Sequence, residues 1–282
     1  MVLDGVRERV GAELFARVAG PDGPRARDRI HNRPGPRWFA PGSPITRVHG
    51  DASMFVGGLR ALLLQSLHPA AMRAVAEHSG YRGDMWGRLA RTSTFLAMTT
   101  FGHAEDAQAA VAAVRQIHER VTGTMPDGTP YRASDPHLLG WVHVAEIDSF
   151  LRAHQAYGQR PLDDAEIDEY VAQTAEVARR LGVVDPPTTE AELRERLAAY
   201  RPELRATSEA REAARYLILH PPPPVLARGP YAALTVAAVG LMPGWSRRAL
   251  GLPWEPLSGR TVSRTLGTVV TGTIRWAMTA PA

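Results

Sequence analysis

Residues 54–67 read MFVGGLRALLLQSL and are followed at once by His68-Pro69. Apolar side chains fall on nearly every face of a 3.6-residue spiral through this stretch, which predicts a helix buried all round. Pro69 then stops or kinks that helix or opens the next one, where AAMRAVAEH continues at helical spacing. Upstream, residues 2–18 fit an amphipathic helix, while residues 20–44 are crowded with Pro, Gly and Arg and predict an extended arm on the surface. Downstream, Asp84 is placed to N-cap a helix that begins at Met85 and ends at Gly102. A further helix is expected over residues 104–121, closed by Gly123 and the turn MPDGTPY. Ser134 or Asp135 then caps another, with Pro136 in its first turn, that runs through Trp141, His143 and Asp148 to about Tyr157.

Beyond Gly158, LDDAEIDEYVAQTAEVARRLG and TEAELRERLAAYRPEL carry charged outer faces and read as scaffold helices. ATSEAREAARYLILH predicts one more helix, stopped by the four prolines Pro221 to Pro224, before an apolar helix and a short Trp- and Arg-bearing tail. No repeat is evident, and strands do not alternate with helices as in a nucleotide-binding α/β fold. The expected class is therefore all-α, a single multi-helix domain. Residues 1–47 form an N-terminal helix and a Pro/Gly/Arg-rich arm, and residues 48–282 form the helical domain.

Composition excludes several chemistries. The chain has 282 residues, and all 33 of its basic residues are arginines. Without an ε-amine there is no Schiff-base catalysis and no phosphate-loop lysine. The absence of cysteine removes disulfides, thiolate nucleophiles, iron–sulfur clusters and Cys-ligated haem or zinc, leaving metal ligation to His, Asp, Glu or Tyr. Although the pI is about 9.8, the net charge is only +4 and acidic residues are interspersed, so no basic patch argues for nucleic acid as a partner. The N-terminus is amphipathic where a secretory signal needs an unbroken apolar stretch, which points to the cytoplasm. The longest apolar run, residues 231–242, is too short to cross a bilayer and suits a buried helix, or contact with a membrane surface or apolar substrate.

Four groups of residues carry candidate chemistry. His118, in AAVAAVRQIHERVTG, lies beside the face marked by Val111, Val114, Ile117 and Val121, with Arg115 one turn earlier. That position suits a haem ligand with a guanidinium near a propionate or bound oxygen, and equally a hydrogen-bonded core histidine. His68 ends a buried helix, so its imidazole needs an internal partner, in a pocket or at a helix terminus. His143 shares a helix with Glu146 and Asp148; its spacing to Glu146 reverses the Glu-x-x-His order of carboxylate metal sites, and no matching second helix is spelled out. Arg88 and Arg91 share a helical face with Thr92 and Thr94 nearby, and buried arginines there would need an anion: haem propionates, a substrate carboxylate or Glu77. A hydrolase triad finds no support, since no Ser sits in a G-x-S-x-G elbow.

Taken together, LLLQSLHPAAMRAVAEHSGYRGDMWGRLARTSTFLAMTTFG and VRQIHERVTGTMPDGTPYRASDPHLLGWVHVAEIDSFL resemble the catalytic domain of the MpaB and rubber-oxygenase (latex clearing protein) family. The resemblance is strongest over residues 50–157 and rests on the His-Pro, EHS, Arg-Thr, VRxxH, PDGxxYRAxDP and WVH blocks in that order. It implies a globin-like helical core, a non-covalent b-type haem and O2-dependent chemistry on a hydrophobic molecule. Within it His118 matches the proximal iron ligand, Arg91 the arginine of the distal helix and Glu77 a pocket carboxylate acting as base, while His68 and His143 match pocket-support positions. Rubber-cleaving members carry a lysine where Thr94 stands here, and they carry export signals. The expected substrate is therefore a small intracellular lipid, terpenoid or secondary metabolite rather than polyisoprene, consumed by oxidative cleavage or hydroxylation with an unassigned electron donor. A haem-binding sensor or carrier without turnover, and a non-haem metal enzyme using His68, His118 and His143, are the alternatives.

Overall fold

The fold is seen in a computed structural model that describes residues 2–78, 84–219, 228–252 and 257–278. The four prolines expected to stop a helix lie outside the described residues. Fourteen α-helices and one small hairpin make up the described chain, an all-α architecture as expected. The first three helices are α1 (Val2–Ala19), α2 (Gly23–Asn32) and α3 (Pro44–His49), followed by α4 (Met54–Gln65) and α5 (Pro69–His78). Next come α6 (Met85–Phe101) and α7 (Ala104–Arg120), then the antiparallel strands β1 (Thr122–Thr124) and β2 (Pro130–Arg132), and α8 (Pro136–Tyr157). The remainder is α9 (Asp164–Leu181), α10 (Glu190–Tyr200), a 3-10 turn (Arg201–Glu203), α11 (Ser208–Leu219), α12 (Arg228–Gly240), α13 (Gly244–Leu250) and α14 (Leu257–Met278).

Local chemistry sets many of the boundaries. Asp84 accepts a hydrogen bond from the Gly87 amide at 2.9 Å and Asp135 one from the His137 amide at 2.8 Å, each satisfying an orphan N–H of a first helical turn. Asp163 and Glu166 close a reciprocal capping box at the start of α9, and Gly182 ends that helix with φ of 107°, in the left-handed region that a side chain disfavours.

The centre of the molecule is the pairing of α4 with α8. Val56, Leu63, Leu64, Leu67, Trp141 and Leu151 are all fully buried. Gly57 makes the close approach possible, since a Cβ there would sit 2.9 Å from the Phe150 ring and 3.1 Å from its Cα. One charge crosses the same seam. Arg60, 2% exposed, donates to Asp148 at 2.7 Å, to the Ser149 hydroxyl at 2.7 Å and to the Leu241 carbonyl at 3.0 Å. With each of its three nitrogens donating once and Asp148 supplying the opposite charge, the buried guanidinium is tolerated.

Two expectations for the chain ends are corrected. The region expected to be an extended arm contains the ten-residue helix α2, because Arg29 and Arg33 both pair with Asp106 on α7 at 2.6 Å while Ile30 packs inward at 3% exposure. The expected short tail contains α14, a 22-residue helix that lies on α12 and α1. Its buried Val270 and Ile274 meet Ala52, Leu14 and Phe55. No described helix is long and apolar enough to cross a membrane.

Candidate functional site

His118 lies in the last turn of α7, half-buried, and its Nδ1 is buried without a hydrogen-bond partner. Burial lowers the proton affinity of the ring below the ordinary histidine range, so a neutral imidazole with a free lone pair is favoured, the form a metal requires. The face on which it sits differs from expectation in one respect. Val111 is fully buried, but Ile117 is 56% exposed, because α7 presents a narrower stripe to its neighbours than the sequence spacing suggested.

Helices α6, α7, α8 and α9, with α3 packed against three of them, enclose a band of polar side chains. On α8, His143 is buried with an unpartnered Nε2, and burial together with the Arg179 charge pulls it down to about 4. One turn on, burial pushes the Glu146 carboxyl up to about 7. His49 reaches Thr100 through Nδ1 at 2.8 Å and the Tyr170 hydroxyl through Nε2 at 3.3 Å, and it stands edge-on to Phe150. Burial, then the nearby His154, lowers His49 to about 3. Tyr170 is raised well above the usual phenol range by burial and by the charges of Glu146 and Asp148. Glu146 and His49 are both half-buried.

The other expected residues fall into separate groups. Glu77, on α5, accepts from the Tyr131 hydroxyl of β2 and pairs with Arg73 at 2.6 Å, while Arg73 also reaches Glu209 at 3.3 Å. The hairpin ties this carboxylate to the end of α7, since Ala133 N–H donates to the Val121 carbonyl at 2.9 Å and His78 Nε2 lies 3.1 Å from the Thr122 carbonyl. Arg91 is not a buried arginine: its side chain is 66% exposed and pairs with Asp84 at 3.2 Å, because the helix cap supplies the nearest anion. Arg88 and Thr94 are half-buried on the same helix. Arg115 is exposed and donates to the Arg180 carbonyl at 3.3 Å. His68, 9% exposed, sits with His137 and Glu203. Sequence reasoning did not single out His49, Tyr170, Arg60 or His137. Arg60 carried a signal, a lone charge inside an otherwise apolar run, whereas His49 and Tyr170 acquire theirs only when α3 and α9 meet.

The family model described as "ER-bound oxygenase mpaB/B'/Rubber oxygenase, catalytic domain" matches residues 46–272, from α3 through most of α14. The chain belongs to this family. The match takes in every side chain of the polar band and the whole α4–α8 seam, so the mpaB/rubber oxygenase catalytic domain is the unit that carries them. Helices α1 and α2 precede it. No curated protein and no solved structure matches the chain.

Proposed function

We propose that this oxygenase-family chain is a haem b-dependent oxygenase that acts with O2 on a hydrophobic small molecule, a lipid, terpenoid or secondary metabolite, by oxidative cleavage or hydroxylation. The observation that carries the reading is His118, whose inward nitrogen is buried without a partner in a ring that burial keeps neutral. A b-type haem held by His118 would supply the activation of oxygen that side chains alone do not provide.

The chain's own residues then bind and move protons. Arg88 and Arg115 offer guanidinium groups to the haem carboxylates, with the planar fork that matches such anions. Thr94 and Arg91, three residues apart on α6, offer donors to oxygen or to an oxygenated substrate, with Arg91 exchanging its Asp84 partner for that role. Glu77 accepts a proton from the substrate, and its partners Tyr131 and Arg73 steady its charge beforehand. His143, held neutral, and His68 support the walls of a globin-like core. An apolar substrate would reach the site from the cytoplasm or from a membrane surface.

The test is expression with haem precursor, followed by absorption spectra of wild type and His118→Ala. Wild type is expected to show a Soret band at stoichiometric haem, and the variant to lose or shift it. A colourless wild type after haem reconstitution, or full occupancy with an unchanged band in His118→Ala, overturns the reading. Steady oxygen uptake with an apolar substrate separates an oxygenase from a haem carrier.

A further inference from the structure

His68, His137 and Glu203 come from three separate elements. His68 occupies the turn between α4 and α5, His137 the first turn of α8, and Glu203 the end of the 3-10 turn after α10. Their ligand atoms all lie within 4.8 Å of one another. The His137 Nε2 is 2.8 Å and 3.1 Å from the two Glu203 oxygens, and the His68 Nε2 is 3.5 Å from one of them. In tetrahedral coordination with metal–ligand bonds of about 2.0–2.1 Å, neighbouring donor atoms stand about 3.3 Å apart. The observed separations bracket that value, so a cation could enter with small side-chain adjustments.

A second observation points to a ligand. His68 is nine-tenths buried, and neither of its ring nitrogens has a hydrogen-bond partner, an arrangement that costs free energy unless something answers it. Its Nε2 faces Glu203 at a distance too long for a good hydrogen bond and right for a shared cation.

The surroundings hold the three groups in place. The Tyr200 hydroxyl donates to the His137 carbonyl at 2.8 Å, and its ring lies 4.8 Å from the His137 ring. The Arg205 amide donates to the Leu67 carbonyl at 2.9 Å, fixing the 3-10 turn beside the α4–α5 junction. Trp141 backs His68 at 6.3 Å between ring centroids and donates to the Gln65 carbonyl at 3.2 Å. His137 and Glu203 keep 58% and 43% of their side chains exposed, so an ion can enter from solvent and retain a water ligand.

We infer that His68, His137 and Glu203 form a binding site for a divalent transition cation of the zinc class, separate from His118, which fastens the turn after α10 to the α4–α5 junction. Two imidazoles and one carboxylate with an open fourth position are donors that suit Zn2+ over Mg2+ or Ca2+, which prefer oxygen alone. This site does not depend on the haem reading.

The experiment is calorimetric titration with Zn2+ of the full chain, stripped with chelator and carrying whatever haem it binds. Wild type and His118→Ala are each expected to take up one equivalent. His137→Ala and Glu203→Gln, both changes of exposed side chains checked for fold by circular dichroism, are expected to weaken binding by at least the roughly 10–100-fold that loss of an outer-shell partner already costs. No saturable uptake by wild type, or unchanged affinity in both folded variants, overturns the proposal. Loss of binding only in His118→Ala overturns it too, by placing the ion at the other histidine.

Discussion

Glu146→Gln is expected to stabilise the protein, and only at the alkaline end of its range. The carboxyl rises from 4.5 to about 7 because burial opposes its ionisation. At 1.36 kcal/mol per pH unit that opposition amounts to about 3.4 kcal/mol, and solvent reaching the part of Glu146 that stays accessible reduces it to about 2 kcal/mol. Below pH 4.5 the group is neutral in both folded and unfolded chains and has no effect on stability. As pH climbs from 4.5 through about 7 the unfolded chain ionises first, so wild type loses stability progressively and carries the full loss above that range. Glutamine keeps the shape of the neutral acid and never ionises. Urea denaturation followed by circular dichroism should therefore give matching midpoints for variant and wild type near pH 4. At pH 8 the variant's midpoint should lie higher by roughly 0.7 M, for an m-value of about 3 kcal/mol/M. Comparing the two proteins at each pH cancels the contributions of the buried histidines. An equal displacement at both pH values, or none at pH 8, would refute the argument that Glu146 is held neutral by its surroundings.

Other perturbations read other parts of the molecule. Asp148→Ala leaves the Arg60 guanidinium buried without its anion and should cost about 3–5 kcal/mol in chemical denaturation. His143, lowered to about 4 from 6.5, contributes stability that is complete above pH 6.5 and is lost as pH falls through about 4, so His143→Asn should flatten the acid side of a melting-temperature profile. Gly57→Ala drives a methyl into Phe150 and should lose about 1–3 kcal/mol by overpacking of the α4–α8 seam. Arg91→Ala, which removes only an exposed pair with Asp84, should change thermal stability by no more than about 1 kcal/mol, so any effect on haem or oxygen binding would report function directly.

What could be read from sequence follows the range of the forces involved. The caps at Asp84 and Asp135 and the apolar run that became α4 are local, decided within one or two turns, and the structure has them where the residues place them. The helix α2 was hidden because its composition is that of a loop and its anchor, Asp106, lies on a helix far along the chain. The long helix α14, rich in Thr and Gly, gains its buried face from elements distant in sequence, α12, α1 and α8 among them. His118 and His143 stood out as candidates, and the structure adds what spacing could not: that their unpartnered nitrogens are buried. The partner of His68 was invisible for the opposite reason. Glu203 follows a proline in an unremarkable turn, and only the packing of Tyr200 and Arg205 brings it to the imidazole.

The seam between α1 and α14 has a consequence for the order of assembly. Gly11 lies directly against the Ala277 carbonyl, where a Cβ would collide with it, and Leu14 packs with Val270 and Ile274. Two helices far apart along the sequence, α1 and α14, are thus neighbours in space. Domains fold as the chain emerges, N-terminal parts first, but this contact joins elements more than 200 residues apart and must wait until α14 has been made. Until then the face of α1 destined for α14 is bare, and it is at this stage of synthesis that the nascent chain most needs shelter from its neighbours.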